Sequence, residues 1–588
     1  MKEFSFRSRA EALRAFQNEV FDLLIIGGGI TGAGTARDAV SRGLKVALVE
    51  ARDFAWGTSS RSSKLIHGGL RYLQNMEFGL VFEALSERTH LLKSVPHMVR
   101  PLPFFMPVYR GDKPGKFLLD IGLWIYDVLA LGRAPGFHRS FSKKKFLQQI
   151  PFLQPEGLKG GFRYFDASMW DDVLAVETLR AAQGGGASIA NYTEAVAPIW
   201  ENEMIRGFRV RDLAARGAEP IALHAKRTVV CAGPWTDQVG LTLSTHWKRW
   251  LNPSKGVHLI FDAKRIPVPG AVVMSHPEDG RISFVIPRPD YGAGVVIVGT
   301  TDGPTPLEPE KAIVELGDVG YLMDLLGRYF PTLKLTEDDI LSAYVGVRPL
   351  MGAQSSTVGS EGTAPRSTAA DLQKVSREHY IGSGPGGVIL VAGGKYTTHR
   401  LMAREIVDVA LAKWKEDAAD GRIEEPPQGV GPSQTEAPVN PLATLEAVAE
   451  SRRTAVERGW QVPEALWNRY GAEALEIVAI HRAQPDSSVA EIEGFPFLGA
   501  QLRYEIRNGM VMRLEDFYIR RCSLYATRKD HGLAVAEALA RIWAEEMKLG
   551  PEAVSAEVER LKDEFKKRDA WRNPTPKRPG LSQIVTTI

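Results

Sequence analysis

The fold is decided by residues 21–50, which read FDLLIIGGGITGAGTARDAVSRGLKVALVE. FDLLII is a continuous apolar run of the kind that forms a buried strand, and KVALV is a second such run just before Glu50. The glycine triplet between the first run and a helix-forming stretch is typical of a tight turn. The segment therefore predicts strand, turn, helix and strand, the unit from which open α/β sheets are built.

The turn carries the G-x-G-x-x-G pattern at Gly27, Gly29 and Gly32, with Thr31 inside it and Glu50 at 21 residues beyond Gly29. Glycines let the backbone approach a pyrophosphate, and the N-terminus of the following helix favours an anion. Glu50 is placed to accept hydrogen bonds from ribose hydroxyls, and its charge repels a 2′-phosphate. The pattern predicts a dinucleotide site, but it does not distinguish FAD from NAD.

The bulk composition excludes several classes of protein. A chain of 588 residues predicts two or three domains, and a net charge of +3 gives no support to a nucleic-acid partner. Cys231 and Cys522 match no metal or disulfide framework, so we expect no metal and a reducing cytoplasm. The N-terminus lacks an apolar core of signal-peptide length.

The longest apolar stretch is FLLDIGLWIYDVLAL, residues 117–131. It contains Asp120 and Asp127 and is shorter than the roughly 20 residues that a spanning helix needs. Two interpretations stay open for it. With Lys113 and Lys116 beside it, it forms an interfacial helix against a membrane, or it is simply a buried core helix, because its apolar residues are not confined to one clear face.

Three local patterns help to divide the chain into four segments. Ser8 and Glu11 have capping-box spacing, which predicts a short helix near the N-terminus. SFVIP and GVVIVGTT, separated by RPDYGAG, predict an antiparallel hairpin. Residues 423–442 are rich in Pro, Gly and polar side chains, and amphipathic helical sequence follows. The segments are an N-terminal helix (1–20), a nucleotide-binding domain with an interleaved substrate domain (21–422), a linker (423–442) and a C-terminal helical domain (443–588).

Three further motifs carry a resemblance to a known family. They are TSSRSSKLIHGGLRY at residues 58–72, VVCAGPW at 229–235 and VAGGKYTTHR at 391–400. The first resembles the flavin-contacting loop of the FAD-dependent glycerol-3-phosphate dehydrogenases, of the D-amino-acid-oxidase-like superfamily. The second and third resemble the segments that close over the flavin in that superfamily, with the last one a glycine turn that enters a helix. MRLEDF at 512–517, followed by Arg520 and Arg521, resembles the family's helical domain.

The resemblance implies a non-covalent FAD and a fold of the α/β class. That fold is a Rossmann-like FAD-binding domain interleaved with an antiparallel-sheet substrate domain, followed by a C-terminal α-helical domain. Cys231 is then a small apolar strand residue rather than a redox thiol. The residues expected to bind the cofactor are Gly27, Gly29, Thr31, Gly32, Glu50, Thr58, Ser59, Ser60, Ser63, Lys64, Leu65, His67, Gly233, Lys395, Thr397 and Thr398.

The resemblance also implies a substrate site. Arg348, in GVRPL, matches the family's phosphate-binding arginine, and Arg377 matches a second one. Arg71 and Tyr72 match residues that face the substrate pocket, and Thr300, in GTTDG, resembles a turn that lines it.

Two residues compete for the role of general base. His258, in KGVHLI, has an ordinary pKa near 6.5 and is the expected base for the C2 hydroxyl of the substrate. Lys395 is the rival base if burial and nearby cations depress its pKa. Otherwise Lys395 stabilises the reduced flavin or the substrate oxygens electrostatically.

The family's activity is the oxidation of sn-glycerol 3-phosphate to dihydroxyacetone phosphate, with hydride transfer to flavin N5 and electrons passed to a membrane quinone. The expected location is therefore cytoplasmic, peripheral on the inner face of the cytoplasmic membrane. The chain has no EF-hand loop after its helical domain, which departs from mitochondrial members and indicates a bacterial type. The sequence leaves the oligomeric state open, with a homodimer as one candidate.

Three alternatives remain at this point. An oxidase on the same scaffold would return the electrons to O2 and make H2O2. An amino-acid-oxidase-like enzyme would bind a carboxylate at the arginine, which the set HGGLRY, GVRPL and GGKYTTHR disfavours. A non-enzymatic flavin-binding scaffold is disfavoured by the retention of every expected pocket residue.

Overall fold

The structure is a computed structural model that describes residues 3–69, 77–130, 136–215, 217–306, 308–352, 379–485 and 488–573. The strands within these ranges are β1 (Val20–Ile26), β2 (Val46–Val49), β3 (Leu65–Ile66), β4 (Val99–Tyr109), β5 (Arg139–Ser142), β6 (Leu158–Met169), β7 (Ser188–Ala190), β8 (Thr193–Glu201), β9 (Met204–Asp212), β10 (Ile221–Val230), β11 (Ser254–Asp262), β12 (Ala271–Ser275), β13 (Ile282–Arg288), β14 (Val295–Gly299), β15 (Gly303–Pro304), β16 (Ile340–Arg348), β17 (His379–Ser383) and β18 (Ile389–Gly393).

The α-helices of the same ranges lie mainly outside the strand-rich middle of the chain. They are α1 (Phe6–Asn18), α2 (Ile30–Ser41), α3 (Phe78–Ser94), α4 (Lys116–Leu129), α5 (Lys143–Gln149), α6 (Asp171–Gly184), α7 (Thr236–Leu243), α8 (Leu316–Tyr329), α9 (His399–Ala419), α10 (Leu445–Glu457), α11 (Glu464–Tyr470), α12 (Ala474–Ala483), α13 (Leu498–Asn508), α14 (Leu514–Asp516), α15 (Leu524–Thr527), α16 (Ala536–Glu546) and α17 (Glu552–Arg568). A π-helical turn, Phe517–Arg521, follows α14.

The first sheet has the strand order β17-β18-β10-β1-β2-β7, and the strands from β18 to β7 are parallel. Leu24 of β1 lies opposite both Thr228 and Ala47, so β1 is the central strand. α2 and α9 pack on this sheet around a core of small and aliphatic side chains. The predicted succession of strand, turn, helix and strand is confirmed as β1, α2 and β2.

The second sheet has the order β15-β11-β14-β13-β12-β4-β6-β3, with β16 paired to β11 and β5 to β6. All of its pairs are antiparallel except β12 with β4. The predicted hairpin is confirmed as β13 and β14, with Ile286 opposite Ile297. Because the strands of this sheet alternate along the chain with those of the first, the two sheets are interleaved, as predicted.

The helices after residue 440 form their own apolar clusters and contact the first sheet through a buried ionic group. Asp53, just after β2, is fully buried and accepts hydrogen bonds from Arg520 Nε and from Arg521 Nη1 and Nη2, the last two at 3.1 and 2.9 Å. Burial alone raises the pKa of Asp53, but the charges of the two arginines hold it below its usual value. We call this group the Asp53 latch, since it ties the last domain to the turn that follows Glu50.

The first helix begins at Phe6, with Ser5 as its N-cap and Ser8 as the N3 partner of the capping box, so the predicted box of Ser8 and Glu11 is wrong. Ser8 has the right chemistry but lies one turn inside the helix. The predicted linker is described throughout and contains no α-helix or strand between Asp420 and Asn440. The domain boundaries themselves stay predictions.

The stretch at 117–131 forms α4, whose inward side buries Leu123, Tyr126 and Asp127. Its other side exposes large apolar residues, among them Phe117 at 81% and Val128 at 66%. The interpretation as a buried core helix is therefore wrong. Within the described ranges, no helix combines the length and the apolar character that crossing a bilayer requires.

Candidate active site

A cavity of about 680 Å³ lies between the two sheets. At one end it is lined by the turn after β1 and by Glu50, and at the other end by His258 of β11 and Arg348 of β16. The lining also includes Cys231 and Lys395, which follow β10 and β18. The cavity thus opens at the carboxyl ends of parallel strands, where ligands bind in open α/β sheets.

The glycine turn is shaped by close backbone contacts. Gly27 has φ +117°, and a side chain on it would meet the carbonyl oxygen of Cys231 at 2.4 Å. A side chain on Gly32 would meet the carbonyl of Gly27 at 1.9 Å, so this glycine lets α2 pack against the turn. Gly29 differs from both, because only the Ser59 hydroxyl, at 3.1 Å, lies near its missing side chain. The space beside Gly29 is therefore part of the cavity rather than of the packing.

Glu50 lines the same end of the cavity and is held by backbone donors. Its Oε2 accepts from the N–H of Gly28 at 2.7 Å, and its Oε1 accepts from the N–H of Arg52 at 2.9 Å. Burial raises the pKa of Glu50 above its usual value. Each carboxylate oxygen has a further lone pair, so the group is fixed in orientation and can still accept hydrogen bonds from a pair of hydroxyls.

Most of the residues expected to bind the cofactor line this cavity: Gly27, Gly29, Thr31, Glu50, Thr58, Ser59, Ser63, Leu65, His67, Gly233, Lys395 and Thr397. Four other described residues do not line it: Gly32, Ser60, Lys64 and Thr398. Lys64 is buried and donates from Nζ to the carbonyl of Ser60 at 3.0 Å and to Asp171. Thr398 is the residue from which α9 starts.

These residues fit an FAD. The open space at Gly29 lies at the N-terminus of α2, where backbone N–H groups and the helix dipole favour a diphosphate. At the other end of the groove, Gly393 and Gly394, with φ of +71° and +95°, make the turn that leads into α9. The positive end of a second helix therefore lies at the cavity wall, where it would stabilise charge on a reduced flavin.

Arg348 ends β16 and is held by polar neighbours on β11 and on the loop after β14. Its Nη1 lies 3.3 Å from Asp302 Oδ1, and its Nη2 donates to Thr300 Oγ1 at 3.1 Å. The guanidinium lies over Gly256, whose missing side chain would come within 2.6 Å of Nη2. Thr300 therefore belongs to the site through its contact with Arg348.

His258 is buried, and its ring contacts two other residues of the site. Its Nε2 lies 2.9 Å from Ser63 Oγ, and its ring stacks on that of Tyr344 at 4.7 Å between centroids. Burial and, to a smaller extent, the positive charges of Arg348 and Lys64 together lower the pKa of His258 to about 3. Nδ1 has no hydrogen-bond partner among the described residues. The imidazole is thus neutral here, with a pKa well below the ordinary value on which the sequence argument relied.

Some of the predicted residues lie outside the described residues, namely Arg71, Tyr72 and Arg377. Lys395 lines the cavity from the turn that precedes α9, so both candidate bases contribute to one cavity.

Two further residues, Tyr344 and Asp171, support the site and were not predicted from the sequence. Tyr344 stacks on His258 and donates from its hydroxyl to the carbonyl of Ser62 at 2.8 Å. Its position four residues before Arg348, on the same face of β16, is a signal that was available. Asp171, the buried partner of Lys64, begins α6 far from any motif, and nothing local points to it.

Comparison with known proteins gives a consistent family. Residues 22–407 match the family described as FAD dependent oxidoreductase, and residues 447–554 match the C-terminal domain of alpha-glycerophosphate oxidase. The chain is 34% identical over 572 residues to an aerobic glycerol-3-phosphate dehydrogenase of Staphylococcus aureus, which covers 96% of this chain and 98% of the relative. A Staphylococcus haemolyticus protein of the same description is 35% identical over 542 residues, with 90% of this chain and 91% of the relative covered.

A solved structure agrees with these relatives. The glycerol-3-phosphate dehydrogenase of Bacillus halodurans, complexed with FAD, superposes with a TM-score of 0.74 at 27% identity. The match covers 96% of this chain and 98% of that one. The similarity therefore extends over the interleaved sheets and the C-terminal helices together.

Proposed function

This chain belongs to the FAD-dependent glycerol-3-phosphate dehydrogenases, and from that premise we propose that it oxidises sn-glycerol 3-phosphate to dihydroxyacetone phosphate and passes the electrons to a membrane quinone. The proposal is carried by the placement of Arg348 and His258. Gly256, beneath the guanidinium, precedes His258 by two residues on β11, a span of about 6.7 Å along a strand. The guanidinium is near enough for its charge to lower the pKa of His258. A cation and a neutral imidazole side by side in one cavity suit a small molecule that carries an anionic group and a hydroxyl.

Arg348 is the residue that binds the phosphate. A guanidinium presents two parallel N–H donors that match two oxygens of a phosphate, and the contact is charge-assisted. Thr300 and Asp302 hold the guanidinium in place before the substrate arrives. Arg377 remains a second candidate for the phosphate, and Arg71 and Tyr72 for the pocket wall, on the family resemblance alone.

His258 accepts the proton of the C2 hydroxyl at Nε2, the ring nitrogen that faces the Ser63 hydroxyl. FAD, when bound, supplies the acceptor for the hydride that leaves C2. The phosphate dianion offsets the positive field of Arg348, which is one cause of the low pKa of His258, so the imidazole becomes a stronger base when the substrate binds. Lys395 then acts electrostatically on the substrate oxygens or the flavin and does not take the proton.

Tyr344 and the pair of Lys64 and Asp171 orient the base. Tyr344 stacks on the imidazole, and Lys64 Nζ lies 5.8 Å from the centre of the Tyr344 ring. Asp171 accepts from Lys64 Nζ and from Ser62 Oγ, which fixes the segment that carries Ser63. These residues limit the rotation of the ring and keep water away from it.

We infer the electron acceptor, a quinone, from the family resemblance, and the acceptor in turn supports a location. A quinone with an isoprenoid tail stays in the bilayer, so the enzyme has to reach the membrane surface to reduce it. We therefore place the protein peripherally on the inner face of the cytoplasmic membrane. The alternative, an oxidase that reduces O2 to H2O2, uses the same substrate site.

An anaerobic absorbance experiment tests the proposal. Adding sn-glycerol 3-phosphate to the holoenzyme should bleach the flavin band, and glycerol at the same concentration should not. A short-chain quinone should then restore the band faster than air does. Failure of glycerol 3-phosphate to bleach the flavin would refute the proposed substrate. Restoration by air at the quinone rate, with one H2O2 per flavin, would establish the oxidase instead.

A further inference from the structure

The C-terminal helical domain reaches the active-site region through a buried stack of side chains. Arg469, of α11, lies over the ring of Trp170, with its guanidinium carbon 4.3 Å from the ring centre. Trp170 in turn stacks on Tyr291, with the ring centres 4.0 Å apart and the planes 8° from parallel. All three side chains are buried. We call Arg469, Trp170 and Tyr291 the Trp170 stack.

Contacts with ring faces, rather than hydrogen bonds, hold this stack together. None of the three guanidinium nitrogens of Arg469 has a hydrogen-bond partner among the described residues, and neither do Trp170 Nε1 and Tyr291 Oη. Burial alone would lower the pKa of Arg469, but acidic groups led by Tyr470 and Asp172 raise it, so the side chain stays a cation. A desolvated cation is attracted to an indole ring more strongly than an exposed one. Arg469 and Trp170 therefore hold each other in place.

Trp170 immediately precedes the residue that fixes the segment facing the proposed base. Asp171 is the first residue of α6 and accepts a hydrogen bond from Ser62 Oγ at 2.7 Å. Ser62 is adjacent to Ser63, whose hydroxyl lies 2.9 Å from His258 Nε2. A shift of Trp170 would therefore move the start of α6 and, through Asp171, the hydroxyl that contacts the imidazole.

A second contact of the same domain reaches the strand that carries Tyr344. The carbonyl of Ala526, in α15, accepts a hydrogen bond from Ser342 Oγ at 2.8 Å. Ser342 lies on β16 two residues before Tyr344, so both side chains are on the same face of the strand. Tyr344 is the residue whose ring stacks on His258. Tyr344 and Ala526 also pack against the apolar cluster that contains Trp170.

We infer that the C-terminal helical domain positions the base, His258. Arg469 does so through the Trp170 stack and Ala526 through Ser342, and each contact fixes one of the two segments that touch the imidazole. These are positioning residues, since none of them lines the cavity. The inference rests on the proposed function, in which His258 takes the proton of the substrate hydroxyl, and it gives the helical domain a part in that reaction.

Single-turnover flavin reduction of the holoenzyme tests the inference. Arg469→Met keeps much of the volume of the side chain and removes the charge over Trp170. We expect it to slow flavin reduction at saturating sn-glycerol 3-phosphate roughly 10- to 100-fold, because misplacing a catalytic group by about 1 Å costs on the order of 100-fold. The substrate Kd should change little. Arg469→Lys, which restores a cation, should recover part of the rate.

Two features of this experiment separate positioning from a general loss of structure. Unfolded enzyme would lower the amplitude of flavin bleaching and leave its rate unchanged. Ser342→Ala is a smaller change that removes only the hydrogen bond to Ala526, so it does not depend on whether a buried methionine is tolerated. We expect it to slow flavin reduction roughly 3- to 10-fold, as one of several contacts is lost. Unchanged rates in both variants would overturn the inference.

The matched control is Arg452→Met. Arg452, of α10, lies over the ring of Trp467 in the same domain, at 4.8 Å, but its side chain is 45% exposed and pairs with Glu464. Its replacement should leave the rate unchanged. In a double-mutant cycle, Arg469→Met should slow the His258→Ala enzyme no further, since it acts through His258. A further slowing by the full factor, or equal defects in the Arg469 and Arg452 variants, would overturn the inference.

A measurement without substrate separates this inference from the proposed function. The ring of His258 lies in the ring current of Tyr344, and its NMR signal in carbon-13 histidine-labelled holoenzyme is identified by its loss in His258→Ala. Arg469→Met should shift this signal, and Arg452→Met should not. An unshifted signal in the Arg469 variant would overturn the inference. A wild-type flavin that glycerol 3-phosphate does not bleach would refute the proposed function, and the shifted signal would still support the positioning of His258 by the helical domain.

Discussion

Arg348 Nη1 lies 3.3 Å from Asp302 Oδ1, so the arginine proposed to bind phosphate already shares its charge with a carboxylate. Both side chains are partly exposed, at 22 and 13%, and Arg348 lines the cavity. A substrate phosphate therefore joins an existing ion pair and need not order a free arginine. Preorganisation of this kind reduces the entropy that binding has to supply.

Arg348→Ala should lower kcat/KM for glycerol 3-phosphate on the order of 100-fold while FAD stays bound, because a charge-assisted contact to phosphate is lost. Residual activity should discriminate poorly between glycerol 3-phosphate and glycerol. Arg265→Ala, which breaks an exposed pair with Asp339, is the control and should change little. If Arg348→Ala with Asp302→Ala restores the rate, the unpaired carboxylate and not the lost contact was responsible.

His258→Ala should slow anaerobic flavin reduction roughly 100- to 10,000-fold and leave substrate affinity comparatively intact. The largest cause of the low pKa of His258, about 3 in the free enzyme, is burial, which persists when substrate binds, so the acid limb of reduction at saturating substrate should lie below pH 6.5. Stopped-flow absorbance from pH 5 to 8 measures both effects. A larger defect in Lys395→Met than in His258→Ala, with loss of the basic limb, would exchange the two roles.

Gly29→Val should abolish FAD binding without unfolding the protein. Its side chain would occupy the space at the N-terminus of α2, where only the Ser59 hydroxyl lies near. Gly320→Val, on an open helical surface with no atom within 4 Å, is the control and should retain FAD. Flavin absorbance after gel filtration and far-UV circular dichroism report the two properties. A Gly29→Val protein that stays yellow would contradict the assignment of the turn at Gly29 to FAD binding.

His97→Gln should become more stable relative to the wild-type protein as the pH falls. Burial lowers the pKa of His97 to about 4, against 6.5 in the unfolded chain, so between these values the unfolded state binds more protons. The wild-type free energy of unfolding therefore loses up to about 1.4 kcal/mol per pH unit from this group as pH falls through that window. The glutamine variant lacks this loss.

The variant has to be compared with wild type because other groups change the free energy of unfolding in the opposite direction as the pH falls. Burial raises the pKa of Glu505 to about 7, and this group favours the folded state as it is protonated. Urea unfolding of both proteins at pH 7.5 and 5.5 isolates the histidine contribution. The exposed His246→Gln serves as control. A pH-independent difference between His97→Gln and wild type would refute the prediction.

Arg521→Met should destabilise the protein by about 3 to 5 kcal/mol, because it leaves the buried Asp53 with one arginine instead of two. FAD should also dissociate faster, since Arg52, next to Asp53, lines the cavity. Thermal unfolding and the release of flavin fluorescence measure the two effects. Adding Asp53→Asn should restore part of the stability, and Arg528→Met, an exposed arginine, should do little.

Much of the fold was predictable because its signals are local. The run from β1 to β2 and the hairpin of β13 and β14 follow from apolar periodicity and turn residues within about 30 positions. The wrong prediction of Ser8 as the N-cap also has a local cause. Ser5 and Ser8 offer the same chemistry, and the helix is capped by Ser5, the earlier of the two.

The rest depends on contacts between distant segments. Asp171 meets Lys64 across 107 residues, and no pattern near either residue encodes that pair. The pKa of His258 depends on its burial and on Arg348, which β16 brings from 90 positions away. The exposure of the apolar side of α4 could not be predicted either, because composition does not tell whether another element covers a helix.

The Asp53 latch has a consequence for how the protein is made. Asp53 and Arg521 are separated by 468 residues, so at ordinary rates of synthesis, about 5–20 residues per second, the carboxylate waits on the order of half a minute or more for its partners. During that time the turn beside the cavity has an acidic group that cannot yet be buried. We therefore expect stable binding of the cofactor only when translation is nearly finished.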